Sequence, residues 1–190
     1  MRQATTSLIE ALDRCPQPTR VEALAVRHVR ALAARTNPWT RDEPLHVTAS
    51  ALVLHPPTRR VLLRRHARLE RWMQVGGHGD EGEADPLAVA LREAAEETGL
   101  SELRPWPQDD GVYPVQITIV GVPANSAEPA HEHADIRYLF ATDAPERAMA
   151  ESPDAPIRWT DIDDALDVID EENLREFLRR AMHKLDETGC

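Results

Sequence analysis

Cysteine is scarce in this chain: only Cys15 and Cys190 occur, one near each end. Neither has CxxC or metal-site spacing, so a disulfide framework and a cysteine-bound zinc site are set aside. Two unpaired thiols in a reducing compartment are expected. No apolar run approaches the roughly 20 residues that a membrane span needs. The N-terminus is polar and lacks the apolar core of a secretory signal. Internal repeats and low-complexity tracts are missing as well. The protein is therefore expected to be soluble and cytoplasmic, with no membrane partner.

What is present is acidity, unevenly spread. The formal net charge is −11 over 190 residues. Residues 143–190 hold fourteen acids and six bases, whereas residues 58–71 hold six arginines against one acid. An acidic chain with one basic strip argues against duplex nucleic acid as a partner and allows a focused anionic site. The length suits one compact domain with a small helical extension.

Periodicity predicts helices over 4–14 and 19–35, with Pro16 and Pro18 breaking the chain between them. This gives an N-terminal helical extension over 1–44 and a main domain over 45–190. In the main domain, 45–54 and Val61–Arg65 read as a hairpin around Pro56-Pro57-Thr58. A glycine-rich loop follows, from Gly76 through Gly82. Residues 85–98 are the strongest helix: Asp85 suits the N-cap, Pro86 the first turn and Gly99 the position past its end. Further strands are predicted over Val112–Val122 and Ala134–Ala141, then helices over Ile162–Ile169 and Asn173–Leu185. The order implies an α/β fold with a mixed central sheet covered by helices on both faces.

The chemistry concentrates in residues 77–100. Glu93, Glu96 and Glu97 stand at i, i+3 and i+4 and project from one helix face. Leu87, Ala88, Leu91, Ala94, Ala95 and Thr98 are assigned to the opposite, packed side. Carboxylates stacked in this way repel one another, and a cation relieves that. Mg2+ favours one or two carboxylates together with substrate phosphate oxygens. Glycines in front of the helix let backbone approach metal and phosphate. A glutamate triplet alone also describes an ordinary acidic surface; Gly77, Glu83, Arg92 and Gly99 at their spacings decide otherwise.

These residues resemble the signature of the Nudix hydrolase family: Gly, five residues, Glu, seven residues, then Arg-Glu-apolar-x-Glu-Glu-x-Gly-apolar. Gly77 and Glu83 match the first part. Arg92, Glu93, Glu96, Glu97, Gly99 and Leu100 match the second. The chain departs from the pattern with eight residues between Glu83 and Arg92, the extra one falling near Asp85-Pro86. It also has Val75 where the family often has proline.

The resemblance implies a Nudix-type α/β/α sandwich and metal-dependent hydrolysis of a diphosphate linkage in a nucleoside diphosphate derivative or related small molecule. It implies Mg2+, with Mn2+ as a substitute. Glu96 and Glu97 match the main metal ligands. Glu93 matches a ligand or base, and Arg92 an arginine that orients these carboxylates. The Gly77 carbonyl adds a ligand, while Glu83 is expected to brace the loop or hold an outer metal.

Outside the box, His131, His133, Asp135 and Arg137 alternate, so they share one side if the segment is a strand. They are candidates to bind metal, hold phosphate or supply a base. His78 and Arg64 are further substrate-binding candidates. Two rival readings remain open. An isopentenyl-diphosphate isomerase-like enzyme shares the fold and uses histidine ligands, which His46, His66 and His78 would suit; residues 72–79 lack the cysteine it needs. A non-catalytic Nudix ligand-sensing module typically loses box glutamates, which this chain keeps. The N-terminal helix pair is a candidate dimerisation arm, admitting a homodimer.

Overall fold

The computed structural model describes residues 2–107, 111–126 and 128–189. Two helices come first, α1 (Arg2–Arg14) and α2 (Arg20–Ala33). Thr19 caps α2 by accepting the Glu22 amide at 3.2 Å, and its hydroxyl donates back to the Glu22 carboxylate at 2.8 Å. A cap of this kind is worth about 1 kcal/mol.

The central strand is β1 (Leu45–His55), whose nine interior residues are all buried. A 3-10 turn at Pro56–Thr58 leads into β2 (Arg60–His66), followed by β3 (Arg71–Met73) and β4 (Val75–His78). The chain continues through α3 (Pro86–Thr98), β5 (Arg104–Pro105), β6 (Gln116–Val122) and β7 (His131–Ala141). It ends with β8 (Ile157–Asp161), α4 (Ile162–Val168) and α5 (Glu172–Glu187).

The eight strands form one mixed sheet. β1 pairs antiparallel with β2 near its end and with β4 near its start, and runs parallel to β7 from Leu45 to Leu54. Alternate residues of β1 serve opposite faces. Ala49, Ala51 and Val53 pack into the core under α1, α2 and α3, with Leu8, Val29, Val89 and Ala94. Leu52 and Leu54 pack into the core under α4 and α5, with Ile162, Leu174 and Phe177. The α/β architecture with both faces covered is therefore as expected.

Three local differences from the sequence reading have clear causes. The strand predicted from Val112 begins at Gln116; Pro114, with no amide hydrogen, has no donor with which to extend the ladder toward Val112. The start of the glycine-rich segment is strand rather than loop, because Gly76-Gly77-His78 pairs with β1. The packed side of α3 is Val89, Ala90, Ala94 and Thr98, while Ala88 is exposed. This rotation turns Glu97 inward, and the site depends on it.

Candidate active site

The site is built where α3 lies across β4. Asp85 caps the helix by accepting the Leu87 amide at 3.1 Å. Gly99, at φ 68°, ends it in the left-handed conformation. The glycines of β4 set how closely helix and strand approach. A Cβ on Gly77 would stand 2.7 Å from Glu93 Oε2, so the Glu93 carboxylate occupies the space a side chain would fill. Gly76 has φ 140°, and a Cβ there would meet Ser50 Cβ at 2.3 Å. Its amide donates to Glu97 Oε2 at 2.9 Å.

Glu97 is buried, at 8% exposure, with Arg64 Nη1 3.0 Å from its Oε1. Burial pushes its carboxyl up to about 7, against the opposing pull of the Gly76 amide and Arg64. Burial also raises Glu93, opposed by Arg92. Glu96 differs, with a side chain 55% exposed. Glu93 and Glu97 thus face the strand, and Glu96 joins them from the solvent side through Arg92.

Arg92 is the hub. Its Nη1 lies 3.0 Å from Glu93 Oε1 and 2.8 Å from Glu96 Oε2. Its Nη2 donates at 2.9 Å to both Glu83 Oε2 and the His78 carbonyl. Its Nε reaches both Glu83 oxygens at 3.1 Å. This fork holds Glu83 below the ordinary carboxylate range. Glu83 also accepts the Asp80 amide at 2.9 Å, so it closes the Asp80–Glu83 turn. Gly82, at φ 90°, lies in this turn, while the residue that lengthens the box comes after Glu83, in the segment that ends at the Asp85 cap of α3.

A cleft of about 410 Å3 opens beside Gly76, Gly77 and Arg64. Arg64, Arg68 and Arg71 line it, drawing on the basic strip of the sequence. Its floor is a polar network. Asp135 accepts from Ser50 Oγ at 2.6 Å, Thr48 Oγ1 at 3.2 Å and Arg137 Nε at 2.7 Å. Arg137, 2% exposed, also donates to Gln116 at 3.0 Å and to the Asn173 side chain at 2.8 Å. Arg64 Nε and Gln74 Oε1 are buried with no hydrogen-bond partner.

At the other end of β4 four imidazoles gather. Register places His46 opposite His133 across β1 and β7. His46 Nε2 lies 3.1 Å from His78 Nε2, and His131 Nε2 lies 3.1 Å from His133 Nε2. Burial, then neighbouring imidazoles and Arg41, lower His78 to about 3. Burial and neighbouring imidazoles lower His133 to about 4. Both are neutral at physiological pH.

Of the candidates named from sequence, the structure brings Gly77, Arg92, Glu93, Glu96 and Glu97 together, with Arg64 beside Glu97. His78, His133 and Asp135 line the cleft; His131 sits behind His133. Arg64 is engaged through its terminal nitrogens with Glu97 and, at 3.3 Å, with Glu151. Sequence reasoning missed Thr48, Ser50, Gln74, Gln116 and Asn173. They carry no motif: strand register delivers Thr48, Ser50 and Gln116, the break between β3 and β4 holds Gln74, and the start of α5 brings Asn173.

Fold and site together define a class: small α/β enzymes that set a carboxylate helix on a glycine strand to handle phosphorylated ligands. The chain belongs to the Nudix family, since the family model described as the NUDIX domain matches residues 44–184. It is accordingly a hydrolase of phosphoanhydride bonds, in a family that uses divalent metals.

Solved structures agree on the fold. An Ap4A hydrolase of C. elegans, in a binary complex, superposes with TM-score 0.59 at 18% identity, covering 74% of this chain and 98% of its own. A NUDIX-family hydrolase from Clostridium perfringens gives 0.55 at 23% identity, covering 75% and 97%. The dihydroneopterin triphosphate pyrophosphohydrolase of E. coli gives 0.51 at 18% identity, covering 73% and 94%. Among curated proteins, none matches the chain by sequence. Among the described residues, no helix is long and apolar enough to cross a membrane.

Proposed function

We propose that this protein cleaves a diphosphate linkage in a nucleoside diphosphate derivative or a related small molecule, with Mg2+ as its natural ion and Mn2+ as a substitute. The observation that carries the reading is the buried Glu97 carboxylate, held between the Gly76 amide and Arg64, with Glu93 filling the space beside Gly77. Burial disfavours the charged form of this carboxyl, and a cation bound beside it would favour that form. The donor set is all oxygen, which suits a hard divalent ion.

Glu93, Glu96, Glu97 and the Gly77 carbonyl would hold that ion, which supplies charge neutralisation for the diphosphate and a lowered pKa for bound water. Arg92 is a positioning residue that fixes three carboxylates at once. The substrate lies in the cleft. Arg68 and Arg71 meet its phosphates there, over the Asp135 floor, and His78 and His133 line the same cleft. A volume of about 410 Å3 admits a nucleotide-sized molecule.

The test is to incubate the full chain with Mg2+ and ADP-ribose, NADH, nucleotide sugars, dinucleoside polyphosphates and nucleoside triphosphates, measuring phosphate-bearing products. Turnover of at least one member, abolished in Glu97→Gln, is expected. Isomerisation of isopentenyl diphosphate without hydrolysis, or tight binding without turnover, would overturn the reading.

A further inference from the structure

We propose that His46, His131 and His133, joined by His78, form a binding site for a divalent ion of the zinc class, separate from the carboxylate helix and set in the cleft wall. The proposal stands on the histidine geometry and does not depend on the hydrolase reading.

Convergence comes first. The ligand nitrogens of His46, His131 and His133 all lie within 4.8 Å of one another. Two Nε2 pairs are closer, His46 to His78 and His131 to His133, each at 3.1 Å. Tetrahedral zinc with Zn–N bonds of about 2.0–2.1 Å sets its nitrogens roughly 3.3 Å apart. Small ring rotations close that difference. The set offers nitrogen alone, which favours Zn2+, Co2+ or Ni2+ over Mg2+.

The second support is orientation. His46 Nδ1 lies 3.0 Å from the Glu43 carbonyl, and His131 Nδ1 lies 2.8 Å from the Pro129 carbonyl. A carbonyl only accepts, so each Nδ1 carries the proton. In a neutral ring Nε2 is then a lone pair aimed into the cluster. Metal-ligating histidines are typically held in this way, with the far nitrogen donated to a carbonyl or carboxylate.

Position supplies the third. The β strands fix the ligands from three directions: His46 on β1, His131 and His133 two residues apart on β7, His78 at the end of β4. His78 and His133 line the cleft, while His46 is 2% exposed. Asp135 and Glu128 lie within electrostatic reach of His133 and favour a cation; Arg41 opposes it at His46 and His78. A bound ion here adds positive charge to the cleft end away from Arg64, Arg68 and Arg71.

The experiment is to strip the full chain of metal and titrate it with Co2+ in excess Mg2+, so that hard-ion sites stay saturated. We expect one equivalent of Co2+, the intense visible bands of tetrahedral nitrogen ligation, and mole-for-mole displacement by Zn2+. His131→Gln and His133→Gln should each weaken binding at least 10-fold, with metal-free melting close to the parent's. Glu97→Gln should leave the spectrum unchanged. Absence of Co2+ binding at micromolar concentration, or binding that survives both histidine substitutions, would overturn the proposal. So would binding lost in Glu97→Gln. Because His131 is partly exposed at a strand start, its variant remains informative if His133→Gln fails to fold.

Discussion

Arg92 donates through Nη2 to the carbonyl of His78 at 2.9 Å, tying the carboxylate helix to the end of β4, where His78 joins the histidine cluster. The same guanidinium holds Glu83, Glu93 and Glu96. Arg92→Ala is therefore expected to lower kcat about 10–100-fold, as loss of an orienting partner does. It should also raise the Mg2+ concentration needed for half-maximal rate. Arg92→Lys should recover little, because a point charge cannot reproduce the fork. Steady-state kinetics across a Mg2+ titration checks this; a KM change alone would point to a role in substrate binding instead.

The box was legible because its parts are contiguous: capped helix, glycines and glutamates lie within two dozen residues. Even so, helix periodicity did not show that Glu97 turns inward, since that depends on glycines of β4 having no side chain to exclude it. The cleft floor was less legible. Thr48 and Asp135 meet only through the parallel register of β1 and β7, and the pattern of either strand alone does not specify its partner. His46 joins His133 by the same register. β4 escaped notice because paired glycines carry almost no strand signal.

Glu97 gives the metal-free protein a distinct pH dependence. Burial raises its folded-state carboxyl from 4.5 to about 7, so the folded protein holds this proton more tightly than the unfolded chain. The associated stability is complete below about pH 4.5 and is lost as pH rises through about 7, on the order of 3 kcal/mol in all. Urea unfolding in EDTA at pH 5 and pH 8 measures the difference. Glu97→Gln should flatten it, and Mg2+ should restore stability at pH 8.

The two glycines of β4 should separate cleanly. Gly76→Ala combines a left-handed φ of 140° with a Cβ 2.3 Å from Ser50 Cβ, so destabilisation of at least about 1–3 kcal/mol is expected. Gly77→Ala meets the movable end of Glu93 at 2.7 Å, and should displace that carboxylate while keeping the fold. Thermal melting and Mg2+-dependent activity read the two effects independently.

Asp135 and Arg137 form an ion pair at 2.7 Å, with side chains 8% and 2% exposed. Asp135→Ala leaves a buried guanidinium without its charge partner, and a loss of about 3–5 kcal/mol is expected. Replacing Arg137 by leucine in the same background should recover part of it. Denaturant titration of the single and double variants measures the coupling.

The central claim is that the carboxylates of α3 drive diphosphate hydrolysis. The most direct test is the cleavage rate of the best substrate, with Mg2+ titrated into metal-free protein, in the parent and in Glu97→Gln. The account predicts negligible rate without the ion, saturable activation in the parent, and at least about a 100-fold loss in Glu97→Gln at saturating Mg2+. An undiminished rate in EDTA, or a Glu97→Gln protein as fast as the parent, would contradict it.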